Sequence, residues 1–543
     1  MTRGPDPTMN IASILERQAA ETGGRPAIIE RGGMVTFAEL DRAASDTAAE
    51  LSAHGLRPGM RALVLSPMSI ALYTTIIGLF RLGAAAVFVD PSAGRARLDR
   101  SIARARPEAF VAIPRAHLLR LTSRAIRAIP IKLAIGGWAP GAPVVARKAR
   151  GATTLRRPPE TAPLGIAACA PDTPAIITFT SGSTGEPKAA VRSHGFLVAQ
   201  HRALVDSLGL SPGEVDLTTL PVFLLANLAS GVTSVIPDAD LGRPGAIDPA
   251  PLLEQIRTTR PTRVVASPAL LDRLASYARR QSQPLDTFRW IHTGGAPVFP
   301  KLLDEIAAVA PAAAVVSVYG STEAEPIAEI DRRAIAPADR DAMRQGAGLL
   351  AGRPAASVQL RILPDRWGTP LGPWQQADIE RESVAGTAAG EIVVSGGHVL
   401  TGYLGGLGDE ETKIRVGDAV WHRTGDAGYL DDRGRLWLLG RCAAKVSDSK
   451  GVLYPFAVEC AASGIAGVRR SAFVEHDGRR LLVVEPGMDA VEPGTETGAG
   501  LRERLASHLS WALLDDVRLV RRIPVDSRHN AKIDYPALRR LLG

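Results

Sequence analysis

The sequence predicts an α/β protein with a large N-terminal domain of two α/β subdomains plus a β-rich subdomain, followed by a small α+β C-terminal domain. Three observations lead to this prediction. Segments with helical periodicity alternate with short β-branched runs, which is typical of parallel sheets covered by helices. Beyond about residue 390 the pattern changes to short strands and hairpins. The 543 residues exceed one ordinary hydrophobic core, so two or more domains are expected.

The first α/β subdomain is predicted from the N-terminal part of the chain. Apolar residues at helical spacing predict helices over residues 11–22, 37–53 and 69–82, and β-branched runs predict strands over 61–65 and 85–89. The apolar stretch 70–89 contains Arg81, so we interpret it as a buried helix followed by a strand, and we expect no transmembrane segment.

A connecting segment and a second α/β stretch follow. Residues 136–172 are rich in Pro, Ala, Gly and Arg and have little periodicity, which indicates a connecting segment. The second stretch has a predicted helix over 268–280, and its predicted strands cover 175–180, 263–267, 289–293 and 314–318.

The last part of the chain is predicted to be rich in strands and then α+β. A strand is expected over 391–395, and a hairpin over 427–439 with its turn at 431–434. The glycine-rich run 346–352 does not have the spacing of a dinucleotide fingerprint, and we interpret it as a turn. We divide the chain into a domain of residues 1–440 and a domain of residues 441–543.

Composition excludes several classes of function. The net charge is +8, but there is no lysine-rich tract or aromatic-interleaved basic stripe, so no nucleic-acid partner is expected. Cys169, Cys442 and Cys460 form no CxxC pair, which argues against a disulfide framework or a structural zinc site. The N-terminus lacks the apolar core of a signal peptide, and a cytoplasmic location is expected.

The clearest chemical signal is a glycine- and hydroxyl-rich run directly after an apolar strand. Glycines allow close backbone approach, the hydroxyls can donate to phosphate oxygens, and a lysine can pair with a polyphosphate. The run lacks the GxxxxGK[ST] spacing of a nucleotide-binding P-loop. Its residues are Thr180, Ser181, Gly182, Ser183, Thr184, Gly185, Glu186, Pro187 and Lys188.

Further motifs accompany this run along the whole chain. They are residues 35–40; Gly294, Gly295, Ala296 and Pro297; Tyr319, Gly320, Ser321, Thr322 and Glu323; residues 422–426, ending in Asp426; Arg441; and residues 531–533, with Lys532. In this order they resemble the adenylate-forming superfamily, which contains acyl-CoA synthetases, adenylation domains of peptide synthetases and luciferases. The resemblance implies ATP and Mg²⁺ as cofactors, and activation of a carboxylic acid as acyl-AMP with release of pyrophosphate.

The resemblance also assigns roles to individual residues. Lys532, Glu323 and Thr184 are the expected catalytic residues, and Glu323 and Thr184 the expected magnesium ligands. Lys532 would be carried on a mobile C-terminal domain and reach the α-phosphate. Tyr319 is expected to contact adenine, and Asp426 the ribose hydroxyls. The other residues that the resemblance implies for nucleotide binding are Thr180, Ser181, Gly182, Ser183, Thr184, Gly185, Lys188, Gly294, Gly295, Ala296, Pro297, Gly320, Ser321, Thr322 and Arg441.

The expected acid-binding stretch contains Phe223, Leu224, Ala226 and Asn227. An ammonium group facing Leu224 would be costly to desolvate, so a hydrophobic acid is favoured over an amino acid. Segments 233–238, 266–270, 451–454 and 528–533 are similar to the β-lactone synthetases of the bacterial olefin pathway, which implies a β-hydroxy fatty acid and intramolecular lactone closure.

Two alternatives stay open at this point. The first is transfer of the acyl group to CoA or to a carrier-protein thiol, although Ala443 at the hinge position and an altered loop at 446–451 weaken it. The second is a non-catalytic nucleotide-binding relative, against which the intact Lys188, Glu323, Asp426 and Lys532 argue.

Overall fold

The structure is a computed structural model that describes residues 9–91, 94–146, 164–181, 186–384, 386–487, 496–526 and 532–543. The chain forms two compact units. The first comprises Met1–Asp238, Thr322–Glu325 and Gly397–Glu410, and the second comprises Ala239–Ser321, Pro326–Gly396 and Glu411–Gly543. Two short segments from later in the sequence therefore complete the first unit. The predicted division at residue 440 separates a large domain from a mobile one, and it stays a prediction.

The first unit contains a seven-stranded sheet, a group of four further strands, and helices. Its helices are α1 Ala12–Thr22, α2 Phe37–Ala53, α3 Ile70–Leu82, α4 Arg95–Ala105, α5 Leu119–Thr122, α6 Arg124–Ala128, α7 His194–Leu208 and α8 Pro221–Ala229. Its strands are β1 Pro26–Glu30, β2 Gly33–Thr36, β3 Arg61–Leu65, β4 Ala85–Phe88, β5 Ala109–Ala112, β6 Ile131–Ile135, β7 Val144–Val145, β8 Pro174–Ser181, β9 Pro187–Ser193, β10 Val215–Thr218 and β11 Thr233–Val235.

The strands of the first unit are mainly parallel. One sheet has the order β7-β6-β5-β3-β4-β8-β9, in which only the final pair, β8 with β9, is antiparallel. Strands β10, β11 and β1 are parallel neighbours, and β2 pairs antiparallel with β1. This confirms the predicted α/β class for the first subdomain, because helices link the parallel strands.

Local sequence explains where the first helices begin. Thr36 caps α2: its hydroxyl accepts from the Glu39 backbone N–H at 3.3 Å, and the Glu39 carboxylate accepts from the Thr36 backbone N–H at 2.8 Å. Helix α3 is buried from Ala71 to Leu82, and its Arg81 pairs with Glu16 at 3.0 Å and Asp41 at 2.5 Å. The stretch predicted as a buried helix and strand is therefore α3 followed by β4. Among the described residues, no helix is long and apolar enough to cross a membrane.

The second unit contains a parallel part, a β-rich part and a small α+β part. Its helices are α9 Pro249–Thr259, α10 Pro268–Arg280, α11 Pro300–Val309, α12 Pro337–Arg344, α13 Gln376–Glu382, α14 Asp409–Thr412, α15 Pro455–Ser463, α16 Glu496–His508 and α17 Tyr535–Leu542. Its strands are β12 Arg263–Ala266, β13 Trp290–Gly294, β14 Ala314–Ser321, β15 Ala324–Asp331, β16 Leu349–Pro354, β17 Gln359–Leu363, β18 Gly390–Ser395, β19 Lys413–Val416, β20 Ala419–Leu430, β21 Leu436–Arg441, β22 Val446–Asp448, β23 Gly451–Leu453, β24 Val468–His476, β25 Arg479–Pro486 and β26 Asp516–Leu519. Helix α14 and strand β15 begin in segments of the first unit.

The pairing in the second unit follows the predicted change of pattern. Strands β12, β13 and β14 are parallel, whereas β16 to β21 pair antiparallel. Strands β24, β25 and β26 form a separate small sheet beside α15 to α17. One prediction was wrong in part: residues 349–352 of the glycine-rich run belong to β16. A Cβ on Gly352 would lie 2.0 Å from the Glu329 carbonyl oxygen, so glycine permits close strand approach there.

Candidate active site

The hydroxyl-rich run joins two antiparallel strands of the first unit. The register pairs Thr180 on β8 with Lys188 on β9. Of the predicted phosphate-binding residues, Gly182, Ser183, Thr184 and Gly185 lie outside the described residues, as does the Ser181 side chain. The hairpin geometry brings the two ends of the loop together, which is what a loop that wraps phosphates needs.

Lys188 is buried beside an aromatic ring. It is only 5% exposed, and its Nζ atom lies 5.8 Å from the centre of the Tyr403 ring. The lysine stem packs on the backbone of Gly408, where φ is +96° and a Cβ would lie 2.6 Å from the Lys188 Cδ atom. A side chain at position 408 would therefore displace Lys188.

Tyr403 also contacts Glu323. Its hydroxyl donates to the Glu323 Oε1 atom at 2.7 Å, and the Leu400 backbone N–H donates to the Glu323 carbonyl at 2.7 Å. A charge-assisted hydrogen bond of this kind fixes a carboxylate more firmly than a neutral one. Two predicted site residues, Lys188 and Glu323, are thus brought to the same tyrosine.

Backbone pairing holds this tyrosine in place. Tyr403 forms a bridge with Ala190 on β9, and Val399 forms a bridge with Ala324. The Tyr403 backbone N–H donates to the Asp409 Oδ1 atom at 2.8 Å. The segment is therefore anchored at both ends. Sequence reasoning missed Tyr403, because nothing local in the sequence shows that its hydroxyl reaches Glu323.

A second group of predicted residues meets in the second unit. The Tyr319 hydroxyl on β14 donates to Asp426 Oδ2 at 2.8 Å, and the Arg441 Nε atom lies 3.2 Å from Asp426 Oδ1. Arg441 also donates to the Thr424 carbonyl at 3.1 Å. Asp426 and Arg441 are direct partners in the β20–β21 register. Burial and then the Asp426 charge raise the pKa of Tyr319 well above its usual value, so this hydroxyl remains a donor.

The predicted adenine-side loop begins next to Tyr319. Gly294 ends β13 and pairs with Val318 on β14, so Gly295 and Tyr319 follow at the same edge of the parallel sheet. A Cβ on Gly294 would lie 2.5 Å from the Val318 carbonyl oxygen, and Gly295 has φ of +81°. Both glycines are required by the backbone. Ala296 and Pro297 continue this loop, and Gly320 and Ser321 complete β14.

The predicted acid-binding residues lie on α8 of the first unit. Phe223, Leu224 and Ala226 are 5% exposed or less, and Leu224 belongs to the large apolar core. Asn227 is also buried, and its Nδ2 atom donates to Asp216 at 2.7 Å within a polar cluster that includes Thr218 and Ser234. The α8 residues are brought together, and Asn227 supports the strands beneath the helix.

The predicted catalytic lysine lies at the surface of the second unit. Lys532 is exposed, its backbone N–H donates to Asp526 Oδ1 at 2.9 Å, and its carbonyl accepts from the Asp526 N–H at 2.8 Å. Ile533 forms a bridge with Val525. Residues 527–531 lie outside the described residues. The structure therefore anchors the backbone of Lys532 to Asp526.

Thr322 lies beside Glu323 in the first unit, where its carbonyl accepts from Arg192 at 3.0 Å. Among the described residues no group of three or more His, Cys, Asp or Glu side chains could hold a metal ion. Glu323 supplies one carboxylate, and proteins usually bind Mg²⁺ through one or two carboxylates together with substrate phosphates.

Comparison with known proteins decides the family. Residues 15–404 match the family of AMP-binding enzymes, which is well over half of the chain. The chain belongs to the AMP-binding enzyme family. The chain is similar to two olefin β-lactone synthetases. The one from Xanthomonas campestris is 36% identical over 96% of this chain and 96% of the relative, and the one from Stenotrophomonas maltophilia is 34% identical over 92% and 89%.

Solved structures show the same fold. An anthranilate CoA ligase in complex with anthranoyl-AMP superposes with a TM-score of 0.79, covering 99% of this chain and 98% of that chain at 16% identity. This AMP-binding enzyme therefore has the fold of that ligase. The family match and the olefin β-lactone synthetase relatives confirm the expected class of ATP-dependent adenylate-forming enzymes.

Proposed function

We propose that this enzyme uses ATP to activate a fatty acid or β-hydroxy fatty acid as acyl-AMP, releases pyrophosphate, and then closes a β-lactone with release of AMP. The observation that carries the proposal is the cluster of Tyr319, Asp426 and Arg441. Three different strands bring together an aromatic ring, a carboxylate and a guanidinium, which are groups that can bind adenine and ribose. The similarity to olefin β-lactone synthetases supports the choice of acid and the second step.

Asp426 is suited to bind ribose. Each of its carboxylate oxygens already has one partner, Tyr319 or Arg441, and each oxygen can accept a further hydrogen bond. Ribose hydroxyls would fill these positions. Because the Tyr319 hydroxyl is held, its ring has a fixed orientation against which adenine can stack, beside the loop Gly294–Pro297.

We assign binding of the β- and γ-phosphates and of Mg²⁺ to residues of the first unit. Lys188 and the residues from Thr180 to Gly185 would bind the β- and γ-phosphates, and Glu323 with Thr184 would hold Mg²⁺. A bound Mg²⁺ would neutralise phosphate charge. Lys532 would contact the α-phosphate and the acid carboxylate, which repel each other until that charge is offset.

The acid would be bound by Phe223, Leu224, Ala226 and the segment around Asn227. These side chains offer no acidic group for an ammonium, which favours an apolar acid. In the second step the β-hydroxyl oxygen would attack the acyl carbon, the bond from that carbon to AMP would break, and the hydroxyl proton would leave with AMP or solvent. We keep the cytoplasm as the expected compartment, because Cys169, Cys442 and Cys460 are free thiols.

The alternative is transfer of the acyl group to CoA or to a carrier-protein thiol. A specific feature disfavours it: Ala443 stands at the position expected for a charged hinge residue, within a short helical turn over Cys442–Ala444. The strands β22 and β23, which follow, carry the altered loop of residues 446–451.

The test is an ATP assay with β-hydroxy and simple fatty acids, with and without CoA, read by mass spectrometry. We expect AMP and a β-lactone from the β-hydroxy acid without CoA. An acyl-CoA formed only with CoA would select the alternative. If no acid releases AMP, the proposed function is wrong.

A lysine variant tests the first step separately. Lys532→Ala should lower adenylation about 100- to 1000-fold and leave ATP binding intact, because removing one preorganised charge typically costs about 2.7 to 4 kcal/mol. Arg539→Ala removes an exposed cation from α17 nearby and serves as the matched control. Equal activity of both variants would contradict the role of Lys532.

A further inference from the structure

Three large apolar side chains protrude from the first unit. Leu118 is 65% exposed, Leu121 is 75% exposed and Trp138 is 74% exposed. Within the part of the chain that the structure describes, these are the most exposed large hydrophobic residues. Single exposed apolar residues are ordinary, but neighbouring ones mark interaction sites.

These three residues belong to one surface. A 3-10 turn over Pro114–Leu118 continues into α5, so Leu118 and Leu121 lie three residues apart on one helical face. The loop that carries Trp138 packs on the same turn. Arg120 donates to the Pro140 carbonyl at 2.7 Å, and a Cβ on Gly137 would lie 3.1 Å from the Pro114 ring.

The opposite face of this segment is firmly anchored. Ile126 on α6 is fully buried, and Leu119 packs against the same core cluster. Ser123 caps α6 by accepting from the Ile126 N–H at 3.1 Å and donates to Asp99 at 2.6 Å. The leucines are therefore held outwards by a packed turn.

The surface around them is strongly basic. Residues 109–146 contain five cations and no Asp or Glu. This segment therefore has a net charge of +5, whereas the whole chain has a net charge of +8. None of these cations pairs with a carboxylate among the described residues. Burial and then the Arg120 charge lower the pKa of Lys132, as expected beside uncompensated positive charge. The cations are Arg115, Arg120, Arg124, Arg127 and Lys132.

We propose that this surface, formed by Leu118, Leu121, Trp138 and the five cations and here called the leucine–arginine surface, binds anionic phospholipid membranes peripherally. Leucine and tryptophan side chains insert at the boundary between headgroups and acyl chains, and flanking cations attract anionic headgroups. Nucleic acid offers phosphates but no apolar phase for the leucines. The inference goes beyond the proposed function, and it does not depend on adenylation.

The test is co-sedimentation of the full chain with vesicles of phosphatidylcholine alone or with about 30 mol % phosphatidylglycerol. We expect binding to the anionic vesicles, weakened by raising NaCl from about 50 to about 500 mM. The triple variant Leu118→Ser/Leu121→Ser/Trp138→Ser should lose about 10-fold or more in binding to the anionic vesicles. The pair Arg115→Glu/Arg124→Glu should also lose about 10-fold or more.

Met34→Ser is the matched control, because Met34 is 55% exposed elsewhere on the first unit. It should bind vesicles like the unaltered chain, and all variants should keep the thermal unfolding midpoint. Equal binding to neutral vesicles, or binding unaffected by the triple variant, would overturn the proposal. Absence of vesicle binding would also overturn it. If the triple variant then lost self-association in sedimentation, the surface would bind a second copy of the chain, and if it lost retention on single-stranded DNA, the surface would bind nucleic acid.

Discussion

Tyr403 joins two charged groups of the first unit. Its hydroxyl holds one oxygen of Glu323 and its ring faces Lys188. Tyr403→Phe keeps the ring and removes the hydrogen bond. Because a hydrogen bond to a charged group contributes about 1.5–3 kcal/mol, we expect the Mg²⁺ concentration for half-maximal activity to rise about 10-fold or more. Electron paramagnetic resonance of Mn²⁺ bound with ATP should show the same weakening.

The matched control for this variant is Tyr429→Phe. The Tyr429 hydroxyl donates to the Ala347 backbone carbonyl at 2.9 Å, so this change removes a partly buried tyrosine hydrogen bond, like that of Tyr403, without touching Glu323. It should leave the metal requirement unchanged. If Tyr403→Phe lowers stability but not metal affinity, the tyrosine has only a packing role.

At the residue scale, the sequence could predict charged groups but not their partners. Lys188, Tyr319 and Asp426 stand in recognisable local motifs, and their assigned roles remain predictions. The bond from Tyr403 to Glu323 spans 80 residues, and local patterns carry no information about such a separation. Asn227 shows the same limit, because its partner Asp216 becomes visible only once β10 packs beneath α8.

At the element scale, the β13–β14 pair positions the Tyr319 cluster. Gly294→Ala would place a Cβ 2.5 Å from the Val318 carbonyl and so push β14 away from β13. Since Tyr319 follows Val318 directly, the displacement should weaken its bond to Asp426. We expect a stability loss of about 1–3 kcal/mol and weaker ATP binding, measured by thermal unfolding and by calorimetric titration.

Gly33→Ala is the control for this strand variant. Gly33 begins β2, and a Cβ there would meet no atom within 4 Å. Stability and ATP binding should both be unchanged. ATP binding that survives Gly294→Ala at full strength would show that the strand spacing does not position the nucleotide site.

Element boundaries could be predicted where the local signal is strong. The predicted bounds of α2, α10 and β3 agree with the structure, because a capping residue, a proline or a β-branched run marks them. The turn predicted over 346–352 is wrong for residues 349–352, which lie in β16, because glycine indicates both turns and close strand contacts. The position of Gly352 against Glu329 on β15 decides between these, and that contact is not local.

At the scale of the whole molecule, periodicity predicted the mixed α/β class and the order of its parts. It did not predict that Thr322–Glu325 and Gly397–Glu410 complete the first unit. Those segments join it through bridges such as Ala190 with Tyr403, which depend on the packed structure. Tertiary pairing of this kind leaves no period in the sequence.

The buried carboxyl group of Glu459 should make one contribution to the pH dependence of stability. Glu459 on α15 is 2% exposed, and it accepts from the Phe473 N–H on β24 at 3.0 Å and from the Tyr535 hydroxyl on α17 at 3.1 Å. Burial raises the pKa of Glu459 from 4.5 to about 7, so the folded chain keeps this proton when the unfolded chain has lost it.

The sign of the effect follows from this order of proton release. The stabilisation by the neutral carboxyl is complete below pH 4.5 and is lost as pH rises to about 7, and it amounts to about 3 kcal/mol at about 1.36 kcal/mol per pKa unit. Glu459→Gln stays neutral throughout. The unaltered chain should therefore lose stability relative to this variant between pH 5 and pH 8, measured by thermal unfolding.

Glu475→Gln, an exposed change on β24, should keep the pH dependence of the unaltered chain. Parallel curves for the unaltered chain and Glu459→Gln would mean that the buried carboxyl is already ionised at pH 5, held by its two donors.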